Sequence, residues 1–211
     1  MSRNMWRDNE AAAGRIESER PGEKIISEIM RTEAIILKKI PIREYDLLVV
    51  CYTRHAGKQT YVAKSVRRSC SKQASHLDLL NYVDFTSVQP KNSGKDLISN
   101  GHPIITQAYS LKTFHNLKSR LPAMAAAFFL LECLNKLVFE GQADDQLWNF
   151  LENKVEELDR LANQRGVRWP AVIETTRKEL LSTLGYETGA SVEDLAGSQF
   201  KSLQFCRNMI K

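Results

Sequence analysis

Residues 53–72 read TRHAGKQTYVAKSVRRSCSK, and the fold assignment turns on how this stretch is divided. Arg54, His55, Ala56 and Gly57 form a hairpin connection in which Gly57 can take a positive φ without a Cβ clash. Residues 59–66 then alternate as a strand does, with Thr60, Val62 and Lys64 opposing Tyr61, Ala63 and Ser65. Arg54, Lys58, Lys64, Arg67, Arg68 and Lys72 make the stretch basic throughout, with no acidic residue among them. A strand that runs out into a loop of cations presents a surface suited to an anionic partner.

The flanking sequence extends the strand reading in both directions. Residues 34–37 (Ala-Ile-Ile-Leu) and 47–52 (Leu-Leu-Val-Val-Cys-Tyr) are continuous apolar runs, as strands buried on both faces are. Residues 82–88 alternate again, 90–95 form a turn, and Leu97 and Ile98 open a last short strand. Five short strands linked by turns predict a small closed barrel of the OB type. The second half is helical, the change beginning within 104–117. Pro122 starts one helix, with Ala127, Leu130, Leu131, Leu134 and Leu137 at helical spacing and Gly141 beyond its end. Asp144 or Asp145 caps a second, which buries Leu147, Leu151, Val155 and Leu158 and turns Glu152, Glu156 and Asp159 outward. Pro170 starts a third, closed by Gly185. Leu195, Phe200, Leu203 and Phe205 suggest one more.

The predicted class is therefore α+β, an N-terminal OB-fold β-barrel followed by a C-terminal α-helical bundle. The barrel is expected over residues 30–106 and the helical domain over 107–211. Residues 1–29 have mixed charge and no sustained apolar period, and are expected to be a disordered or dispensable extension, with Met30 a candidate natural start.

Charge narrows the class of partner. The net charge is +5, but residues 31–77 hold ten Lys/Arg against three Asp/Glu, whereas residues 140–161 hold seven acids against two bases. Such asymmetry points the first half at nucleic acid or another anionic surface. Cys51, Cys70, Cys133 and Cys206 are scattered, which suits a reducing compartment. The longest apolar run, residues 123–131, falls far short of the roughly 20 residues that span a bilayer. The N-terminus is charged and lacks an apolar signal core, so a cytoplasmic protein is expected.

Catalytic chemistry finds no footing. His55, His76, His102 and His115 lie far apart and keep no metal-ligand spacing with a cysteine. No glycine-rich phosphate loop, nucleophile elbow or His-Glu-x-x-His pattern occurs. A binding protein with no catalytic residues, cofactor or metal is expected. Tyr45, Tyr52, Tyr61 and Tyr82 lie among the cations, and an exposed one could stack on a base.

The order of these motifs resembles the N-terminal domain of the bacterial recombination mediator RecO. The residues that carry the resemblance are Thr32-Glu33-Ala34-Ile35-Ile36-Leu37-Lys38, Arg43-Glu44-Tyr45-Asp46, Thr53-Arg54-His55-Ala56-Gly57-Lys58 and Ala63-Lys64-Ser65-Val66-Arg67-Arg68. Downstream, residues 121–138 and Leu180-Leu181-Ser182-Thr183-Leu184-Gly185-Tyr186 resemble the family's helical domain. Two departures stand out. The family's glycine after Ala-Lys is Ser65 here, where a positive φ is less comfortable. The two Cys-x-x-Cys pairs that bind zinc in many members have no counterpart, since residues 189–211 contain only Cys206, so no metal site is expected.

The resemblance implies a non-enzymatic DNA repair and recombination mediator, bacterial, cytoplasmic and nucleoid-associated. Such a protein binds single- and double-stranded DNA and anneals complementary strands. With RecR it promotes loading of RecA onto DNA coated by single-strand-binding protein, whose acidic C-terminal tail it also engages. The residues expected to contact DNA are Arg54, Lys58, Lys64, Arg67, Arg68 and Lys72, with Lys38, Lys39 and Arg43 as secondary candidates. For the tail, Lys112, Lys118, Arg120, Arg177 and Lys178 are expected. The alternatives are another OB-fold nucleic-acid-binding module or a protein-interaction module whose basic face meets acidic partners.

Overall fold

The computed structural model describes residues 14–18, 25–90 and 101–202. Six strands come first: β1 (Gly14–Ser18), β2 (Ile25–Pro41), β3 (Leu47–Thr53), β4 (Gly57–Ala63), β5 (Tyr82–Val88) and β6 (Ile104–Lys112). The sheet order is β1-β2-β3-β4-β6-β5, and β5 also pairs with β2, so β2 to β6 close on themselves. All neighbours are antiparallel except β4 and β6, joined in parallel at Val62↔Ile104 and Ala63↔Ile105. This is the five-stranded, partly open Greek-key barrel of the OB fold. Five helices follow: α1 (His115–Ser119), α2 (Leu121–Leu137), α3 (Asp145–Ala162), α4 (Trp169–Thr183) and α5 (Val192–Ala196).

The unbroken apolar run at 34–37 has a direct cause. Ala34 and Ile36 point into the barrel with Val49, Cys51, Tyr61, Val83 and Phe85. Ile35 and Leu37 point outward and are buried in a second core with Tyr52, Tyr82 and the helices. A strand covered on both faces has no reason to alternate. By contrast β5 buries Val83 and Phe85 inside and leaves Asp84 and Thr86 partly exposed, because only part of the barrel's outside is roofed. Each fully buried side chain of this size contributes roughly 1.5–3 kcal/mol, so the two cores hold the barrel and the helices together.

The helices start and stop where local chemistry demands. Asp144 caps α3 by accepting hydrogen bonds from the backbone N–H groups of Gln146 (2.7 Å) and Leu147 (3.2 Å). Pro122 lies in the first turn of α2, and Gly185 follows α4 with φ 77°. Lys154, 6 % exposed, packs between α3 and α4, paired with Glu157 (2.5 Å) and Glu179.

Several expectations need correcting. The strand expected over 59–66 ends at Ala63, and residues 64–67 form a turn. Residues 104–112 are the last barrel strand, not the start of the helical region. The strand expected at Leu97 and Ile98, and the turn at 91–95, fall outside the described residues. Within the expected N-terminal extension, residues 14–18 and 25–29 are strand, paired antiparallel from Gly14↔Ile29 to Ser18↔Ile25.

Two of the junctions between barrel and helices involve the candidate cations. At one, Asp78 holds Lys39 (2.6 Å) and Lys118 (3.3 Å), and Lys118 also donates to Asn81 Oδ1. Burial alone would raise the Asp78 carboxyl. The hydrogen bond and charge of Lys39, with Lys118, hold it below the ordinary value instead. At the other junction, Gly141 N–H donates to the Lys58 carbonyl (3.0 Å), and residue 140 forms a parallel bridge with Lys58 on the free edge of β4.

Candidate nucleic-acid interface

The cations of 53–72 adjoin in sequence but sit at opposite ends of β4. That strand is seven residues long, and at roughly 3.3 Å per residue it separates the two groups by about 20 Å. Arg54 and Lys58 lie at the hairpin end, while Lys64, Arg67, Arg68 and Lys72 lie at the loop end.

The hairpin end is closed over by the helical domain. Thr53 Oγ1 accepts from Ala56 N–H (3.1 Å) and donates to the Gly57 carbonyl (3.0 Å), which tightens the turn. Gly57 has φ 65°, and a Cβ there would sit 1.9 Å from the Gln142 carbonyl oxygen. Tyr52 Oη accepts from Asp144 N–H (3.1 Å), and Thr60 Oγ1 donates to Glu140 Oε1 (2.9 Å). Lys58 is only 8 % exposed and donates to the Asn135 carbonyl (3.0 Å). Burial lowers its pKa, partly offset by Glu140. Lys58 is therefore not on the open surface, and its role here is to join β4 to the end of α2. Arg54 is exposed and faces Glu33 at 3.7 Å.

OB folds commonly bind across the face of their second and third strands, flanked by the first and fourth loops. In this chain those strands are β3 and β4, and the segment 138–144 roofs the outer side chains Tyr52, Lys58 and Thr60. The first loop, residues 42–46, stays exposed and joins the loop after β4.

That loop end is a built structure. Val66, 3 % exposed, plugs into the barrel core and anchors the turn. Ser65 adopts φ 56°, and its N–H donates to Asp46 Oδ1 (2.7 Å). Arg67 N–H donates to the Tyr45 carbonyl (3.0 Å), and Arg67 Nη1 donates to the Arg43 carbonyl (3.2 Å). The Arg68 guanidinium lies over the Tyr45 ring, 4.9 Å from its centroid. Arg43 also pairs with Asp46 at 3.5 Å, so the carboxylate nearest the basic loop is spent on holding it. Lys64, Arg67, Arg68 and Lys72 are exposed, and among the described residues none pairs with a carboxylate.

The secondary candidates divide. Arg43 belongs to the loop end. Lys38 is exposed beside the bulge in β2. Lys39 is engaged by Asp78 at the helix junction. Sequence reasoning missed Asp46 as the brace of the basic loop. The pattern Glu44-Tyr45-Asp46 was visible, but its partner lies 19 residues away.

The five residues expected to hold an acidic tail do not converge. Lys112 pairs with Glu152 (3.0 Å) and Glu156, and Lys118 with Asp78. Arg177 pairs with Glu174 (2.7 Å) and donates to the Ala190 carbonyl, and Lys178 meets Glu174 at 3.6 Å. Arg120 is exposed at the start of α2. Of the five, Lys178 alone lines the groove of about 580 Å³ between α3 and α4. Among the described residues no three His, Cys, Asp or Glu gather as a metal site would, and no helix is long and apolar enough to cross a membrane.

Comparison with known proteins agrees with this geometry. Residues 27–104 match the family described as Recombination protein O N terminal, and the match covers the barrel from β2 to the start of β6. Among curated relatives, the DNA repair protein RecO of a Synechococcus species is 31 % identical over 137 residues, 65 % of this chain and 48 % of that protein. RecO of a Thermoanaerobacter species is 28 % identical over 159 residues, 75 % of this chain and 58 % of that protein. RecO of Acetivibrio thermocellus is 24 % identical over 178 residues, 83 % of this chain and 65 % of that protein. The chain thus spans about half the length of the curated relatives it matches. Residues 27–104 thus carry the N-terminal domain of recombination protein O, and the helical sequence beyond it is similar to that of RecO proteins.

Proposed function

We propose that the chain is a DNA repair and recombination mediator that binds single- and double-stranded DNA through the loop end of its barrel. The observation that carries this reading is the cluster Lys64, Arg67, Arg68 and Lys72, exposed, without carboxylate partners among the described residues, and fixed to the barrel by Val66. Cations so placed release counterions from phosphate and need no base-specific contact. A surface that neutralises two strands at once offsets their repulsion, and complementary strands then anneal with no covalent bond made or broken. Arg43 belongs to the same loop end, Lys38 is an exposed cation further along β2, and Arg54 is a remote contributor.

Similarity to RecO proteins supports further roles. With RecR, the chain promotes loading of RecA onto DNA coated by single-strand-binding protein, and the helical domain receives that protein's acidic tail. We assign DNA binding to the barrel, which runs through β6 to Lys112, and the helices from His115 onward to the second domain.

Titrating single-stranded DNA across salt tests the reading. Removing one cation that neutralises a phosphate lowers the slope of log affinity on log salt by roughly 0.7 for a single strand. The variant Lys64→Ala/Arg67→Ala/Arg68→Ala is expected to flatten the slope by about 2 and to weaken binding at least tenfold at low salt. Unchanged binding in that variant refutes the site.

A further inference from the structure

We infer that Tyr45 is a base-stacking residue that makes the loop end prefer single-stranded to double-stranded nucleic acid. The inference rests on the nucleic-acid reading above and assigns a specificity residue within it.

Four tyrosines lie in or beside the basic region, and burial separates them. Tyr52 is 0 % exposed, Tyr61 5 % and Tyr82 7 %, each packed in a core, whereas Tyr45 is 39 % exposed. Its position is set from two sides. Its carbonyl accepts from Arg67 N–H at 3.0 Å, and the Arg68 guanidinium lies 4.9 Å from its ring centroid. Exposed rings ordinarily rotate, and an ordering cation removes part of that freedom before any ligand arrives.

The chemistry around the ring suits a nucleotide unit. A base laid against the solvent side of Tyr45 completes a sandwich of guanidinium, phenol ring and base. The phosphates on either side of that base then fall among Arg67, Arg68 and Lys64. Stacking of this kind tolerates any base, since each has a π-face. It does not tolerate a duplex, in which both faces of every base are already covered by neighbours. The basic residues read both forms, whereas the ring reads only an unpaired one.

The nearby acids do not oppose this arrangement. Asp46 is tied to Ser65 N–H and to Arg43. Glu44 lies beside the Tyr45 phenol and raises its pKa.

The test compares Tyr45→Leu and Tyr45→Phe with the unaltered chain on an oligothymidine strand and on a duplex of equal length at one salt concentration. A single-stranded oligonucleotide carrying 2-aminopurine reports stacking by fluorescence. Tyr45→Leu is expected to lose about tenfold in single-strand affinity and to change duplex affinity by no more than about twofold, with the 2-aminopurine signal lost. Tyr45→Phe keeps the ring and is expected to retain all three. If Tyr45→Leu weakens both forms equally, the ring only supports Arg68 and the inference falls. It falls equally if neither form is affected. Failure of the unaltered chain to bind either form overturns the nucleic-acid reading itself, and the stacking role with it.

Discussion

At one end of β4, the Lys58 ammonium is turned to the carbonyl of Asn135 and almost sealed from water. At the other end, past five further residues, Lys64 stands in solvent with no carboxylate partner among the described residues. Both are lysines of one basic stretch, six positions apart. What separates them is what covers them. The chain returns from α2 through residues 138–142 and lies along the free edge of β4 beside Lys58. No described segment returns over Lys64. A buried ammonium loses hydration and its pKa falls, and it can no longer meet a phosphate. A basic run in sequence therefore counts cations without locating them, and only the topology of the rest of the chain divides them between structure and binding.

The sharpest way to break this contrast is to spoil the roof over the hairpin end. Gly57→Ala places a Cβ at φ 65°, 1.9 Å from the backbone oxygen of Gln142, where no flexible side chain can give way. The left-handed backbone costs roughly 1–2 kcal/mol for a non-glycine residue, and the displaced backbone adds about 1–3 kcal/mol. A loss of about 3 kcal/mol is expected in urea unfolding. Gly141→Ala is the control. It has φ 78°, but its nearest neighbour is the side-chain nitrogen of Gln59 at 4.0 Å, so only the backbone cost applies. Equal losses in the two variants would show that the close approach to Gln142 is not what fixes the hairpin end.

The lysines themselves give the next largest effect. Lys58→Ala removes a buried donor and leaves the Asn135 carbonyl without that hydrogen bond, at a cost of about 2 kcal/mol. Its salt slope for DNA is expected to equal that of the unaltered chain. Lys64→Ala reverses the pattern, with stability changed by less than about 0.5 kcal/mol and the slope on single-stranded DNA reduced by roughly 0.7. A Lys58 variant that is fully stable but defective in DNA binding would erase the distinction between the two ends.

Much of this was legible from the sequence, and what was not has identifiable causes. The strands at 47–52 and 82–88, the Asp144 cap and the Gly185 stop rest on local patterns, and local patterns survive folding. The strand at 104–112 was hidden because its pairing with β5 shifts register twice, between Tyr82 and Val83 and between Thr86 and Ser87. Exposed Thr106 and Gln107 then sit side by side, and the period-2 signal is lost. The end of β4 at Ala63 was hidden for a different reason. Alternation continues through Val66, but the chain turns because Asp46, Tyr45 and Arg43 hold residues 65 and 67 from across the barrel end. Lys58 looked like its neighbours because Asn135 and Glu140 lie about eighty residues further on. Within the site, the charges were readable and their brace was not.

The smallest expected effect bears on that brace. Ser65 stands where the family pattern has glycine, and it holds φ 56°, the left-handed region that side chains avoid. The strain is tolerated because the Ser65 N–H is bonded to Asp46 and Val66 is locked in the core beside it. Ser65→Gly relieves the strain but admits more conformations to the unfolded chain, so the two contributions partly cancel. A net gain of about 0.5 kcal/mol is expected, read as a small rise in the unfolding midpoint with unchanged DNA affinity. In an Asp46→Ala background the serine loses its brace while the glycine does not need one, so the advantage of glycine should grow. If the two substitutions simply add, Asp46 does not hold the turn, and the loop end is ordered by Val66 and the Arg67 hydrogen bonds alone.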